Sequence, residues 1–124
     1  MEALIGGAWR PLKERFPVVS PATGERVAEV ADCGEEEAKE ALEEAVAAFP
    51  LWSGATAYER ARVLRRWYER ILEHQEPLAR LMALEMGKPL KEGRAEVVYA
   101  AGFVEWYTEE AKRSCKELCV RVCV

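Results

Sequence analysis

Three of the four cysteines in this 124-residue chain, Cys115, Cys119 and Cys123, recur every four residues near its end. On a helix that spacing sets three thiols roughly on one side, which is the beginning of a thiolate metal site. It stops short of one: structural zinc sites take four ligands, usually from cysteine pairs on two segments, and the single histidine, His74, is distant in sequence. No metal ligands are therefore assigned. The fourth thiol, Cys33, stands just before an acidic helical stretch, where a helix N-terminus can activate a nucleophile. The reading adopted for it is the plainer one, a small buried residue at a turn. No Gly-x-Gly-x-x-Gly or equivalent phosphate-cradling turn occurs. No residue is thus assigned to catalysis, and none to holding a cofactor. His74, beside Pro77, reads as a helix cap or a solvated residue without a role.

A second cluster with chemical potential is basic and aromatic: Arg60, Arg62, Arg65, Arg66 and Arg70 beside Trp67 and Tyr68. Such interleaving can read nucleic acid. Here Glu59, Glu69 and Glu73 are mixed among the arginines, and the chain carries 18 basic against 22 acidic residues, a formal charge of -4. A solvated face of ion pairs three and four residues apart is the expectation, with no nucleic acid partner. No apolar run approaches the roughly 18 residues a membrane helix needs, and Met1-Glu2-Ala3 lacks a secretion-type start. The expected location is the cytoplasm, with no membrane partner. Asparagine is absent and Gln75 is the one glutamine, while Glu and Arg abound. Heat adaptation gives this thermophile-like composition; so does a GC-rich genome.

The elements that must position these groups change character along the chain. Leu4-Ile5 and Ala8-Trp9 flank Gly6-Gly7, a pair suited to the positive φ angles of a tight hairpin. Residues 16–19 and 26–31 are β-prone, joined by Ser20-Pro21-Ala22-Thr23-Gly24. From Glu35 the period becomes helical: Ala38, Ala41, Leu42, Ala45, Val46 and Phe49 form an apolar face that predicts burial, with Glu36, Glu40, Glu43 and Glu44 on the wet side. Asp32 is expected to cap this helix and Pro50 to close it. Thr56 and Glu59 have the spacing of a capping box for a second helix buried through Ala61, Leu64, Tyr68, Ile71 and Leu72. A shorter helix follows Pro77 and ends at Gly87. The last runs from about Lys91 to about Arg113, and its stretch 97–107 holds one charged residue in eleven. A helix so apolar expects cover on most sides, more than the preceding elements offer.

Read together, these stretches carry a resemblance. Ser20-Pro21-Ala22-Thr23-Gly24-Glu25 resembles the Asn-Pro-Ala-Thr-Gly-Glu turn near the start of aldehyde dehydrogenases. Ala47-Ala48-Phe49-Pro50-Leu51-Trp52, the Arg-rich run 59–66 and Leu84-Glu85-Met86-Gly87-Lys88-Pro89-Leu90 follow in the family's order and spacing. The run from Tyr99 to Arg113, with Phe103-Val104-Glu105-Trp106, looks most like the succinate-semialdehyde dehydrogenase branch. In this family a cysteine thiolate attacks an aldehyde, hydride leaves for NAD or NADP, and a glutamate helps water release the acid. The resemblance implies that these catalytic parts lie downstream of Val124. It also implies that the last helix borders the substrate tunnel, so that Glu96, Tyr99, Phe103 and Trp106 match positions near it; the alternative for these four is packing under a cofactor domain.

The expected fold is α+β: short N-terminal β-hairpins followed by three or four α-helices, mostly helical, an incomplete piece of the aldehyde dehydrogenase fold. Residues 1–113 form the family-like segment and 114–124 a divergent Cys-rich tail. The expected function is that of a truncated aldehyde dehydrogenase, inactive alone and binding no cofactor itself, with NAD or NADP used by the full-length family. The alternatives are a helical interaction module, binding itself or an intact paralogue through 97–107, and a small thiol or metal protein centred on the tail.

Overall fold

A computed structural model of the chain describes residues 1–113. The Cys-rich stretch 114–124, with Cys115, Cys119 and Cys123, lies outside the described residues. The described elements are β1 (Ala3–Ile5), β2 (Ala8–Arg10), β3 (Arg15–Val19), β4 (Arg26–Ala31), α1 (Glu35–Gly54), α2 (Ala57–Glu73), α3 (Gln75–Met86) and α4 (Leu90–Arg113). Two compact units form, one from Met1–Ser53 with Leu84–Gly87, the other from Gly54–Ala83 with the chain from Lys88 onward.

In the first unit two antiparallel hairpins appear where the turn chemistry places them. Gly6 and Gly7 take φ of 59° and 78°, letting Ile5 pair with Ala8 and Leu4 with Trp9. β3 pairs with β4 from Arg15 opposite Ala31 to Val19 opposite Arg26, with an irregularity at Val18/Val19. The connecting turn closes when Gly24 N–H donates to the Ser20 carbonyl (2.8 Å) and Ser20 N–H to that of Glu25 (2.9 Å).

α1 departs from expectation in three ways. Asp32 does not cap it: the helix starts at Glu35, Asp32 N–H is tied to the Glu14 carbonyl, and Glu37 reaches back to accept from Gly34 N–H at 2.8 Å. Pro50 does not end it; the helix continues to Gly54, since one missing donor removes one bond rather than the turn itself. Most telling, none of its residues is buried, and Leu42, Val46 and Phe49 are each about two-thirds exposed. The acids face the hairpin instead. Glu40 pairs with Arg10 at 3.0 Å, and a Cβ on Gly6 would lie 2.8 Å from Glu44 Cδ.

The second unit follows its sequence signals closely. Thr56 accepts from Glu59 N–H through its hydroxyl while the Glu59 carboxylate accepts from Thr56 N–H at 2.8 Å, completing the capping box of α2. Glu59 is held below the usual carboxylate range chiefly by the Thr56 hydroxyl and then by that backbone N–H. His74 is the C-cap, its Nδ1 2.9 Å from the Arg70 carbonyl. α3 does not wait for Pro77 as expected: it starts at Gln75 and takes Pro77 into its first turn, where no intrahelical donor is needed. Gly87, counted with the first unit, takes φ 69° directly after the last residue of α3. The core here is built from small residues: Ala57 and Ala61 of α2, Ala79 of α3, Val97 and Ala101 of α4, while Leu64, Tyr68, Ile71 and Leu72, expected to be buried with Ala61, are only half-buried. Each buried methyl is worth only about 0.8 kcal/mol, so α2 and α4 gain their hold by approaching closely.

Candidate functional site

α4 starts where the Pro89 carbonyl accepts from the N–H groups of both Glu92 (2.9 Å) and Gly93 (3.0 Å). One side of it is then fixed. Gly93, Val97, Ala101 and Thr108 are buried, the Thr108 hydroxyl donating to the Val104 carbonyl at 2.7 Å. Gly93 is needed for this contact, because a Cβ there would sit 3.1 Å from the Ala79 carbonyl oxygen. Ion pairs secure the rotation of the helix. Arg94 donates through Nε and Nη2 to the two oxygens of Glu76 (2.7 and 3.0 Å), which also accepts from Arg80 Nε at 3.0 Å. Those bonds, Arg94 first, hold the Glu76 carboxyl down to about 2. Arg65 of α2 reaches Glu105 at 3.1 Å.

With that face committed, the other is open. Val98, Tyr99, Gly102, Phe103, Trp106 and Tyr107 line a shallow depression of about 490 Å3. Tyr99 and Phe103 meet edge to face, centroids 4.9 Å apart at 86°. Tyr99 is 69%, Phe103 50% and Trp106 63% exposed. Three of the four residues singled out by resemblance, Tyr99, Phe103 and Trp106, thus share one surface. Glu96 does not line it; its carboxylate is bridged to Lys88 Nζ. Sequence reasoning passed over Val98, Gly102 and Tyr107. The signal was there in the i, i+3, i+4 spacing about Tyr99, with Gly102 as the notch. The surface offers stacking and apolar contact, with the Tyr99 and Tyr107 hydroxyls as the polar side-chain groups besides the Trp106 indole N–H and no carboxylate, histidine or thiol among its lining residues.

The other concavity of note, in the first unit, is lined by Pro11, Leu12, Lys13, Glu14, Asp32, Cys33, Gly34 and Glu37. Cys33 is exposed there, not buried as the sequence suggested. The β4-to-α1 connection holds it at the rim rather than in a core. Its surroundings are three carboxylates and one lysine, whereas reactive thiolates sit among cations. Among the described residues no group of three His, Cys, Asp or Glu side chains could hold a metal ion. The α2 arginines make the ion pairs Arg65–Glu105 and Arg70–Glu73, and Arg65 also lies over the Tyr68 ring at 5.5 Å. No helix of the described residues is long and apolar enough to cross a membrane.

Hairpins followed by four helices, the last with a buried small-residue face and an open aromatic one, define a class of chain that comparison identifies. The aldehyde dehydrogenase family profile matches residues 9–120, and the chain belongs to that family. The succinate-semialdehyde dehydrogenase (NADP(+)) GabD of Escherichia coli (strain K12) is 46% identical over 114 residues, 90% of this chain and 24% of that protein. The crystal structure of succinate-semialdehyde dehydrogenase from Burkholderia pseudomallei superposes with a TM-score of 0.87 at 43% identity, covering 90% of this chain and 24% of that one. A betaine aldehyde dehydrogenase mutant from Staphylococcus aureus, solved in complex with NAD+, gives a TM-score of 0.86 at 30% identity, with 90% of this chain and 23% of that one covered. Members of the family thus bind NAD or NADP. The chain spans between a fifth and a quarter of the length of the curated relatives it matches.

Proposed function

We propose that this chain is the part of a nicotinamide-dependent aldehyde dehydrogenase that walls the substrate approach, that the aldehyde is succinate semialdehyde, and that the 124 residues alone do not turn it over. The observation that carries the reading is the open aromatic face of α4, held rigid from behind by α2, in a chain whose relatives extend three to four times further. Support for the aldehyde comes from the relatives named for it. Oxidising an aldehyde to its acid needs a thiolate held beside a carbonyl, donors aimed at the developing oxyanion, and a hydride acceptor alongside. Tyr99, Phe103 and Trp106 supply none of these. What they supply is a dry wall that admits an apolar chain and excludes water. Glu96, paired with Lys88, stands apart from that wall and takes no part in it.

The test uses a chimera. Residues 9–113 of this chain, placed in the Escherichia coli relative in exchange for its own matching segment, should retain NADP-dependent oxidation of succinate semialdehyde. Trp106→Ala in the chimera should raise KM about tenfold with kcat changed less than about twofold, as loss of uniform binding does. The isolated chain with NAD or NADP and the same aldehyde should give no cofactor reduction above buffer. A folded chimera inactive on this aldehyde, or turnover by the isolated chain that Cys33→Ala abolishes, sinks the reading.

A further inference from the structure

α2 supports α4 through small side chains, with Ala57 and Ala61 buried on one helix and Val97 and Ala101 on the other. Burial of that kind is non-directional: it presses the helices together and sets the roll of α4 only as far as methyl-sized knobs can. Roll is what the aromatic face depends on. Side chains reach about 5–6 Å from a helix axis, so a roll of about 10° carries a ring about 1 Å sideways. Where geometry governs a reaction, a misplacement of about 1 Å can cost as much as about a hundredfold.

α3 supplies the directional element. Arg94 meets the Glu76 carboxylate as a fork on a fork, Nε to one oxygen at 2.7 Å and Nη2 to the other at 3.0 Å. Two parallel bonds fix angle as well as distance. Arg80 Nε also donates to Glu76 at 3.0 Å and steadies the acceptor. Gln75 donates from Nε2 to the Arg94 carbonyl at 3.1 Å, the carbonyl that in an α-helix also serves the N–H of Val98. Arg94 is thus gripped by side chain and backbone together, about one turn before Val98 and Tyr99 of the aromatic face. We propose that Glu76 is a positioning residue for the aldehyde: through Arg94 it fixes the roll of α4, and thereby where Tyr99, Phe103 and Trp106 stand along the substrate approach. This rests on the reading of that face as the wall of the approach. Glu76 touches no substrate and acts through the wall, so its loss weakens binding of the aldehyde and leaves the chemical step alone.

Steady-state kinetics of the chimera with the Escherichia coli relative, on succinate semialdehyde and NADP, provide the test. Glu76→Ala should raise KM for the aldehyde about fivefold, with kcat and the KM for NADP changed less than about twofold. Arg94→Ala, which leaves Glu76 its bond to Arg80, should do the same, and it carries the test if Glu76→Ala does not fold. The two together should do no more than either alone, because they remove one pair. Glu76→Ala combined with Trp106→Ala should raise KM less than about twentyfold, short of the roughly fiftyfold of independent effects. Arg70→Ala, which breaks the exposed Arg70–Glu73 pair of α2, should change neither constant. If Trp106→Ala itself leaves KM unchanged, the wall reading fails and this inference falls with it. The wall stands and the positioning role is overturned by any of three results: Trp106→Ala raises KM while Glu76→Ala and Arg94→Ala do not, their effects multiply with it, or kcat and the KM for NADP shift as far as the KM for the aldehyde.

Discussion

Glu76 serves two helices with one carboxylate, accepting from Arg80 on its own helix and from Arg94 at two points on α4. Its native carboxyl titrates near 2, against about 4.3 for a glutamate in an unfolded chain. The native state therefore binds this proton less readily than the unfolded one. The stabilisation is in full force above the unfolded value and is lost as pH falls through the native one. Glu76→Gln should lower the urea midpoint by the same small amount at every pH above about 5, the gap closing toward pH 2. Circular dichroism in urea across that range checks it, and a gap that widens in acid would refute the assignment. Nothing in the sequence marked this pair, because 18 residues separate Glu76 from Arg94 and only the packing of α3 on α4 brings them together. Thr56 and Glu59, three apart, were legible at once.

Local spacing also settles most of the elements. The Gly6-Gly7 hairpin, the capped start of α2 and the glycine after α3 are decided within a few residues, and the structure has them all, whereas α3 begins two residues before the Pro77 expected to precede it. The capping box can be weighed directly. Thr56→Ala should cost about 1 kcal/mol of stability and Thr56→Ser much less, since serine keeps the accepting oxygen. Thermal melts of the two variants provide the comparison, and equal losses would show that the hydroxyl is not what holds the helix start. Where spacing misled was α1. Its period reveals an amphipathic helix but cannot say which side this chain covers, and the pairing of Arg10 with Glu40 turns the acids inward. The candidate site was legible to a similar depth. The i, i+4, i+7 spacing of Tyr99, Phe103 and Trp106 puts them on one surface, whereas Glu96 is drawn away by Lys88, a partner eight residues back.

At the scale of the whole molecule the two units are held very unequally. Ala57, Ala61, Ala79, Val97, Ala101 and Thr108 are buried in the second, while the first buries Ile5 and Ser20. The 20 residues of α1 contribute nothing to either list. Beyond helical hydrogen bonds its amides are guarded only by the few contacts its acids make with the first hairpin, without the packed apolar face that gives most protein helices their stability. Local opening of such a segment costs little and proceeds without the rest of the chain. In deuterated solvent α1 should exchange within about tenfold of the rate of an unstructured peptide, while the α4 amides around Val97 and Ala101 remain protected by orders of magnitude more. Peptide-resolved mass spectrometry would show the contrast, and slow exchange across α1 would mean that its apolar side has found a covering in solution. The same ease of opening makes α1 the place where a protease reaches the backbone first, so limited digestion should cut between Ala38 and Phe49 before it touches the paired helices.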